Sequence, residues 1–101
     1  LVYHRLSDFG IILRHRVRWH VMPKAHSVSA QEQLQALLRQ VRTEAGLTQT
    51  DVAQRLGQPQ SFVSKYESGE RRLDILELRQ VCEVIGIPLS EFIRRLEQVL
   101  T

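Results

Sequence analysis

Two helix-length segments separated by only three residues, Gly57-Gln58-Pro59, constrain this chain more than any other feature. The first opens at Thr48-x-x-Asp51 and carries Val52, Ala53 and Leu56 on its inward face, with Gly57 as its stop. The second runs from about Gln60 to Ser68, with Val63 and Tyr66 turned inward and Gly69 after it. Together they give a helix-turn-helix over residues 49–68.

The flanking sequence repeats the same punctuation. Ser29-x-x-Glu32 has the spacing of a capping box, in which the serine accepts from an orphan backbone amide and the glutamate reaches back. Leu34, Leu37, Leu38, Val41 and Ala45 then share one helical face, ended by Gly46. Asp74-x-x-Glu77 caps a further helix, with Leu73 and Leu78 at the hydrophobic-staple positions. Leu78, Val81, Cys82 and Ile85 form its buried face, and Gly86 and Pro88 stop it. Ser90 is expected to cap a last helix with the stripe Phe92, Ile93, Leu96 and Leu100. Residues 29–101 therefore read as an all-α domain of five short helices.

Residues 1–28 form an N-terminal extension of different character. Leu13, Val17, Trp19 and Val21 alternate with Arg14, Arg16, Arg18 and His20, the period of a strand, and Ser7-Asp8-Phe9-Gly10 supplies a turn for a β-hairpin. An isolated hairpin is marginal in water, so it would need the helical domain or a second copy to pair with. Alternatively, Met22-Pro23-Lys24 is a natural start and residues 1–21 are upstream sequence.

Composition excludes more than it selects. With 101 residues, 43% apolar and 25% charged, the chain is the size of one small domain with a modest core. No run approaches the roughly 18 apolar residues of a membrane-spanning helix. The N-terminus lacks the h-region and cleavage site of a secretory signal. Cys82 has no internal disulfide partner, which suits a reducing cytoplasm, and its place on an apolar face suits a buried filler. His4, His15, His20 and His26 have no metal-ligand spacing, so neither a metal nor a cofactor is expected. Asp8-Phe9-Gly10 lacks the glycine-rich and catalytic loops that would make it a kinase triplet. No nucleophile triad, paired carboxylates or phosphate-cradling loop appears, and no enzymatic activity is expected. The net charge of +3 resides in the extension, where Arg5, Arg14, Arg16, Arg18 and Lys24 oppose only Asp8. The remaining residues hold nine basic and ten acidic side chains, so any basic face must come from clustering.

A helix that reads DNA must be short, exposed along one face and held rigidly by a partner helix on the other. With Val63 and Tyr66 inward, Gln60, Ser61, Ser64 and Lys65 point outward. Glutamine can bond adenine at N6 and N7, lysine can reach guanine O6 and N7, and serine can bond several base edges. Equally, such residues can be an ordinary solvated face.

The chain resembles the Xre/Cro-type, lambda-repressor-like family of five-helix DNA-binding domains. The residues that carry the resemblance are Leu38-x3-Arg42-x4-Leu47-Thr-Gln-x-x-Val-Ala-x-x-Leu-Gly57, then Gln60-Ser-x-Val-Ser-Lys-x-Glu-x-Gly69-Glu-Arg-Arg, and Leu78 through Ile85-Gly86. The resemblance covers about residues 33–97. It implies that Gln49 contacts a DNA phosphate and braces Gln60. It places Gln60, Ser61, Ser64 and Lys65 at base edges, and Arg71 and Arg72 on the DNA backbone. It also implies an Arg42–Glu67 salt bridge that positions the recognition helix. Pro59 departs from the family pattern, which often has Ser or Thr capping that helix.

These readings predict a sequence-specific, double-stranded-DNA-binding transcriptional regulator of a bacterium or phage, cytoplasmic and acting as a repressor. A domain this small needs two copies on a near-palindromic site, with Leu96, Val99 and Leu100 or the N-terminal segment as the homodimer surface. The alternatives are a protein-interaction module such as an antitoxin or regulatory subunit, and sequence-independent binding through the arginine-rich extension.

Overall fold

The computed structural model describes residues 28–101, so the expected hairpin lies outside the described residues. Five helices follow one another: α1 Ala30–Glu44, α2 Gln49–Leu56, α3 Gln60–Ser68, α4 Ile75–Ile85 and α5 Leu89–Leu100. No described helix is long and apolar enough to cross a membrane.

Three helices start with reciprocal capping boxes. Ser29 Oγ accepts from the Glu32 amide at 3.1 Å while Glu32 Oε1 accepts from the Ser29 amide at 3.1 Å. Thr48 with Asp51 and Asp74 with Glu77 repeat the arrangement at α2 and α4. The starts of α3 and α5 differ. Pro59 and Pro88 are their N-caps, and neither supplies a side-chain hydrogen bond. Ser90 therefore does not cap α5; it lies exposed inside the helix, because the fixed φ of Pro88 (−61°) begins the helix two residues earlier. Ala45 also departs from expectation: it is the exposed C-cap of α1, beyond the last buried turn.

The core collects Leu37, Leu38 and Val41 of α1, Val52 and Ala53 of α2, Val63 and Tyr66 of α3, Leu78, Val81, Cys82 and Ile85 of α4, and Phe92 of α5. Burying each large apolar side chain here is worth roughly 1.5–3 kcal/mol. α2 packs on α3 and α4, α1 on α3 and α5, and α4 on α5. Arg95 of α5 closes bidentately on Glu44 of α1 at 2.9 and 3.0 Å, tying the first and last described helices together. The consequence for α3 is that its inner face is clamped by α1 and α2 while, among the described residues, no helix packs closely on its opposite face.

Candidate nucleic-acid interface

The inner face of α3 is fixed by three buried residues on adjacent turns. Val63 and Tyr66 are 0% and 2% exposed, and Glu67 beside them is a charged residue at 2%. A buried carboxylate must be paired and hydrogen-bonded to be tolerated, and Glu67 is. Arg42 Nε donates to its Oε2 at 2.7 Å and Arg42 Nη2 to its Oε1 at 3.0 Å, a bidentate fork. The guanidinium also donates to the Leu47 carbonyl at 2.9 Å, just before α2. Hydrogen bonding to Glu67 raises the Arg42 pKa against the opposing cost of burial. One ion pair thus joins α1, the α1–α2 loop and the end of α3.

Gln49, the first residue of α2, continues the network. Its Nε2 donates to Glu67 Oε1 at 3.0 Å, and its Oε1 accepts from Gln60 Nε2 at 2.6 Å. The start of the recognition helix is therefore held by side chains although Pro59 offers it no cap.

On the outer face, Gln60, Ser61 and Lys65 are exposed and Ser64 is half-buried. Five arginines of the described residues pair with carboxylates at 2.6–3.4 Å: Arg42 with Glu67, Arg71 with Glu77, Arg79 with Glu83, Arg94 with Glu91 and Arg95 with Glu44. Arg55 donates to the Val84 carbonyl and Arg39 to that of Glu67. Lys65 and Arg72 are the exceptions, both exposed and without an acidic partner among the described residues. Among the described residues, positive charge without a carboxylate partner therefore falls on Lys65 of α3 and Arg72 of the loop behind it, and on Arg55 of α2, although the helical domain as a whole is not basic.

Arg71 does not stand free as the sequence suggests. Its two Nη atoms donate to Glu77 at 3.2 and 2.8 Å, one also reaches the Arg72 carbonyl at 3.0 Å, and its guanidinium stacks over Phe62 at 4.6 Å. The Arg71 contact, then the Asp74 amide, holds the Glu77 carboxyl far below its ordinary range, to about 2. Phe62 in turn meets Tyr66 edge-on, 5.7 Å between centroids. Phe62, which the sequence left unassigned, and Glu77, expected only as a capping residue, thus order the loop after α3. A spacing of six residues across a non-helical segment gives no local signal of the Arg71–Glu77 pair.

Gly69 ends α3 with φ +91°, a backbone conformation that disfavours any side chain, while a Cβ there would meet only the movable end of Gln35 of α1, at 2.6 Å from Nε2. Cys82 is buried, and burial pushes its thiol up to about 11, away from reactivity. Among the described residues no cluster of His, Cys, Asp and Glu has the makings of a metal site.

A short helix clamped from behind, with a polar outer row and unpaired cations at its end, defines the helix-turn-helix class of DNA-binding proteins. The sequence profile of the helix-turn-helix family matches residues 38–92. An Xre-family-like protein from Pseudomonas syringae pv. tomato is 43% identical over 71% of this chain and 88% of its own, with a TM-score of 0.66. The chain belongs to the Xre family of helix-turn-helix DNA-binding regulators. The fold is shared by the wild-type restriction-modification controller protein C.Esp1396I, 21% identical over 71% of this chain and 94% of that one, TM-score 0.65. It is shared as well by the clp gene regulator ClgR from C. glutamicum, 24% identical over 74% and 96%, TM-score 0.64. No curated protein sequence matches the chain at a comparable level.

Proposed function

We propose that this protein is a sequence-specific transcriptional regulator that binds double-stranded DNA as a homodimer on a near-palindromic operator and acts as a repressor. The observation that carries the reading is the coincidence of α3's unneutralised cation, Lys65, with its exposed amide and hydroxyl row over a fully buried base. Gln60, Ser61, Ser64 and Lys65 face base edges in the major groove. Arg72 contacts the DNA backbone, and Gln49 adds a phosphate contact at the start of α2, where the helix dipole favours an anion. Arg71 reaches the backbone only by leaving Glu77, so in the free protein it serves the loop. Two proteins of similar fold, the restriction-modification controller C.Esp1396I and the clp gene regulator ClgR, are regulators, which supports regulation of transcription as the role.

Selection of bound duplexes from a randomised pool tests this, using the full chain and a version starting at Met22. Enrichment of a two-fold-symmetric motif by both proteins is the expected result. Equal retention of every sequence by the full chain, lost on removing residues 1–21, would give the role to the arginine-rich extension. No duplex retained, with a stoichiometric protein co-purifying, would favour the interaction module.

A further inference from the structure

We propose that the buried carboxylate of Glu67 is a positioning residue for sequence recognition: its charge fixes the amide polarity of Gln49 and, through it, of Gln60, so that Gln60 selects adenine against guanine. The proposal deepens the DNA-binding reading and rests on Gln60 facing base edges. The chain of contacts is Arg42 to Glu67 at 2.7 and 3.0 Å, Gln49 to Glu67 at 3.0 Å, and Gln60 to Gln49 at 2.6 Å.

A terminal amide normally turns over at little cost, since its last torsion is broad and roughly two-fold. Here it cannot. A carboxylate bound to arginine only accepts, so Gln49 must point its Nε2 toward Glu67. That leaves Gln49 Oε1 facing Gln60, and an oxygen accepts too, so Gln60 must offer its Nε2. The polarity of both amides follows from one negative charge. Glu67 is buried and forked on Arg42, so neither rotation nor water relieves the constraint at its end, and the exposed Gln49–Gln60 bond relays it when the duplex excludes water.

What remains free on Gln60 is Oε1 and the second hydrogen of Nε2. Adenine presents a complementary N6–H donor beside the N7 acceptor in the major groove, whereas guanine presents two acceptors, O6 and N7. With its polarity locked, Gln60 meets adenine with two good hydrogen bonds and sets Oε1 against O6 of guanine. An unlocked glutamine can turn its NH2 toward both guanine acceptors and loses most of the distinction.

The test compares affinities of the full chain for duplexes carrying adenine or guanine at the one half-site position whose preference Gln60→Ala erases. The wild-type protein should favour adenine by roughly ten- to a hundredfold. Gln49→Lys places a donor-only ammonium between Glu67 and Gln60, leaves the carboxylate satisfied, and should turn the Gln60 amide over. The preference then falls to parity or inverts toward guanine, even though the added charge tightens binding to all duplexes. Glu67→Gln should bring the ratio to about threefold or less. A purely structural Glu67 would lower melting temperature and overall affinity without moving the ratio, so an unchanged ratio in Gln49→Lys, or in a folded Glu67→Gln, overturns the proposal. Should Glu67→Gln fail to fold, Gln49→Lys decides alone. If duplexes are selected but no position responds to Gln60→Ala, the proposal falls and the DNA-binding reading stands; if none is selected, both fall.

Discussion

Lys65 and Arg72 differ from the paired arginines around them in having no carboxylate among the described residues to neutralise them, but they sit on different parts of the motif. Lys65 stands on α3, so Lys65→Ala should cost on the order of 1–3 kcal/mol on the preferred site and relax specificity at one base pair. An equal loss on every sequence would move it to the phosphates. Arg72 lies in the loop behind, so Arg72→Ala should weaken all duplexes alike and reduce the slope of log affinity against log salt by about one. An unchanged slope would remove it from the backbone contacts. A third residue concerns stability alone. The Tyr66 hydroxyl is buried with no group to bond among the described residues, and burial raises its pKa further, so the phenol stays neutral. Such an orphan costs roughly 1–3 kcal/mol. Tyr66→Phe, which keeps the ring against Phe62, should therefore leave the melting temperature unchanged or raise it; a fall would reveal a partner for the hydroxyl.

The elements divide into those whose ends are local and those whose ends are not. Capping boxes at residues 29, 48 and 74 were legible in the sequence because donor and acceptor lie three residues apart. The start of α5 was misread because Ser90 carries a capping side chain, whereas Pro88 sets the backbone first. What the sequence does not display is contact across elements: Arg71 on Glu77, Phe62 beneath it, Arg95 on Glu44. The Arg42–Glu67 pair, expected only through resemblance, lies 25 residues apart and is more deeply buried than a positioning bridge requires. Its energetic weight follows from that burial. Removing one partner of a buried pair leaves an uncompensated charge and costs about 3–5 kcal/mol. For a domain this small, Glu67→Ala should lower the melting temperature on the order of 10 °C or more, seen by circular dichroism. A change of only a degree or two would mean that Arg42 finds water instead. Gly69→Ala should also destabilise, by roughly 1–2 kcal/mol for the left-handed backbone before the approach to Gln35 is counted.

For the whole molecule, the proposed dimer needs a surface that sets two recognition helices about one turn of DNA, roughly 34 Å, apart. The described residues expose large apolar side chains in two places away from Val28. One is Val99 at 43%, on α5 beside half-buried Leu96 and Leu100; the other is Ile75 and Leu76, at the start of α4. The α5 patch is the better dimer surface. It continues the stripe by which Phe92 enters the core, so an added helix would extend a packed layer already present. Ile75 and Leu76 instead adjoin Arg72 and the loop proposed to face DNA, where a second subunit would compete with the duplex. Val99→Asp should therefore convert dimer to monomer in sedimentation while sparing the fold, since the side chain is exposed. Binding to a site with both half-sites should drop steeply, whereas binding to one half-site should stay the same. Leu76→Asp should leave the dimer intact. Monomers from Leu76→Asp and dimers from Val99→Asp would place the two-fold axis at α4 and remove α5 from the assembly.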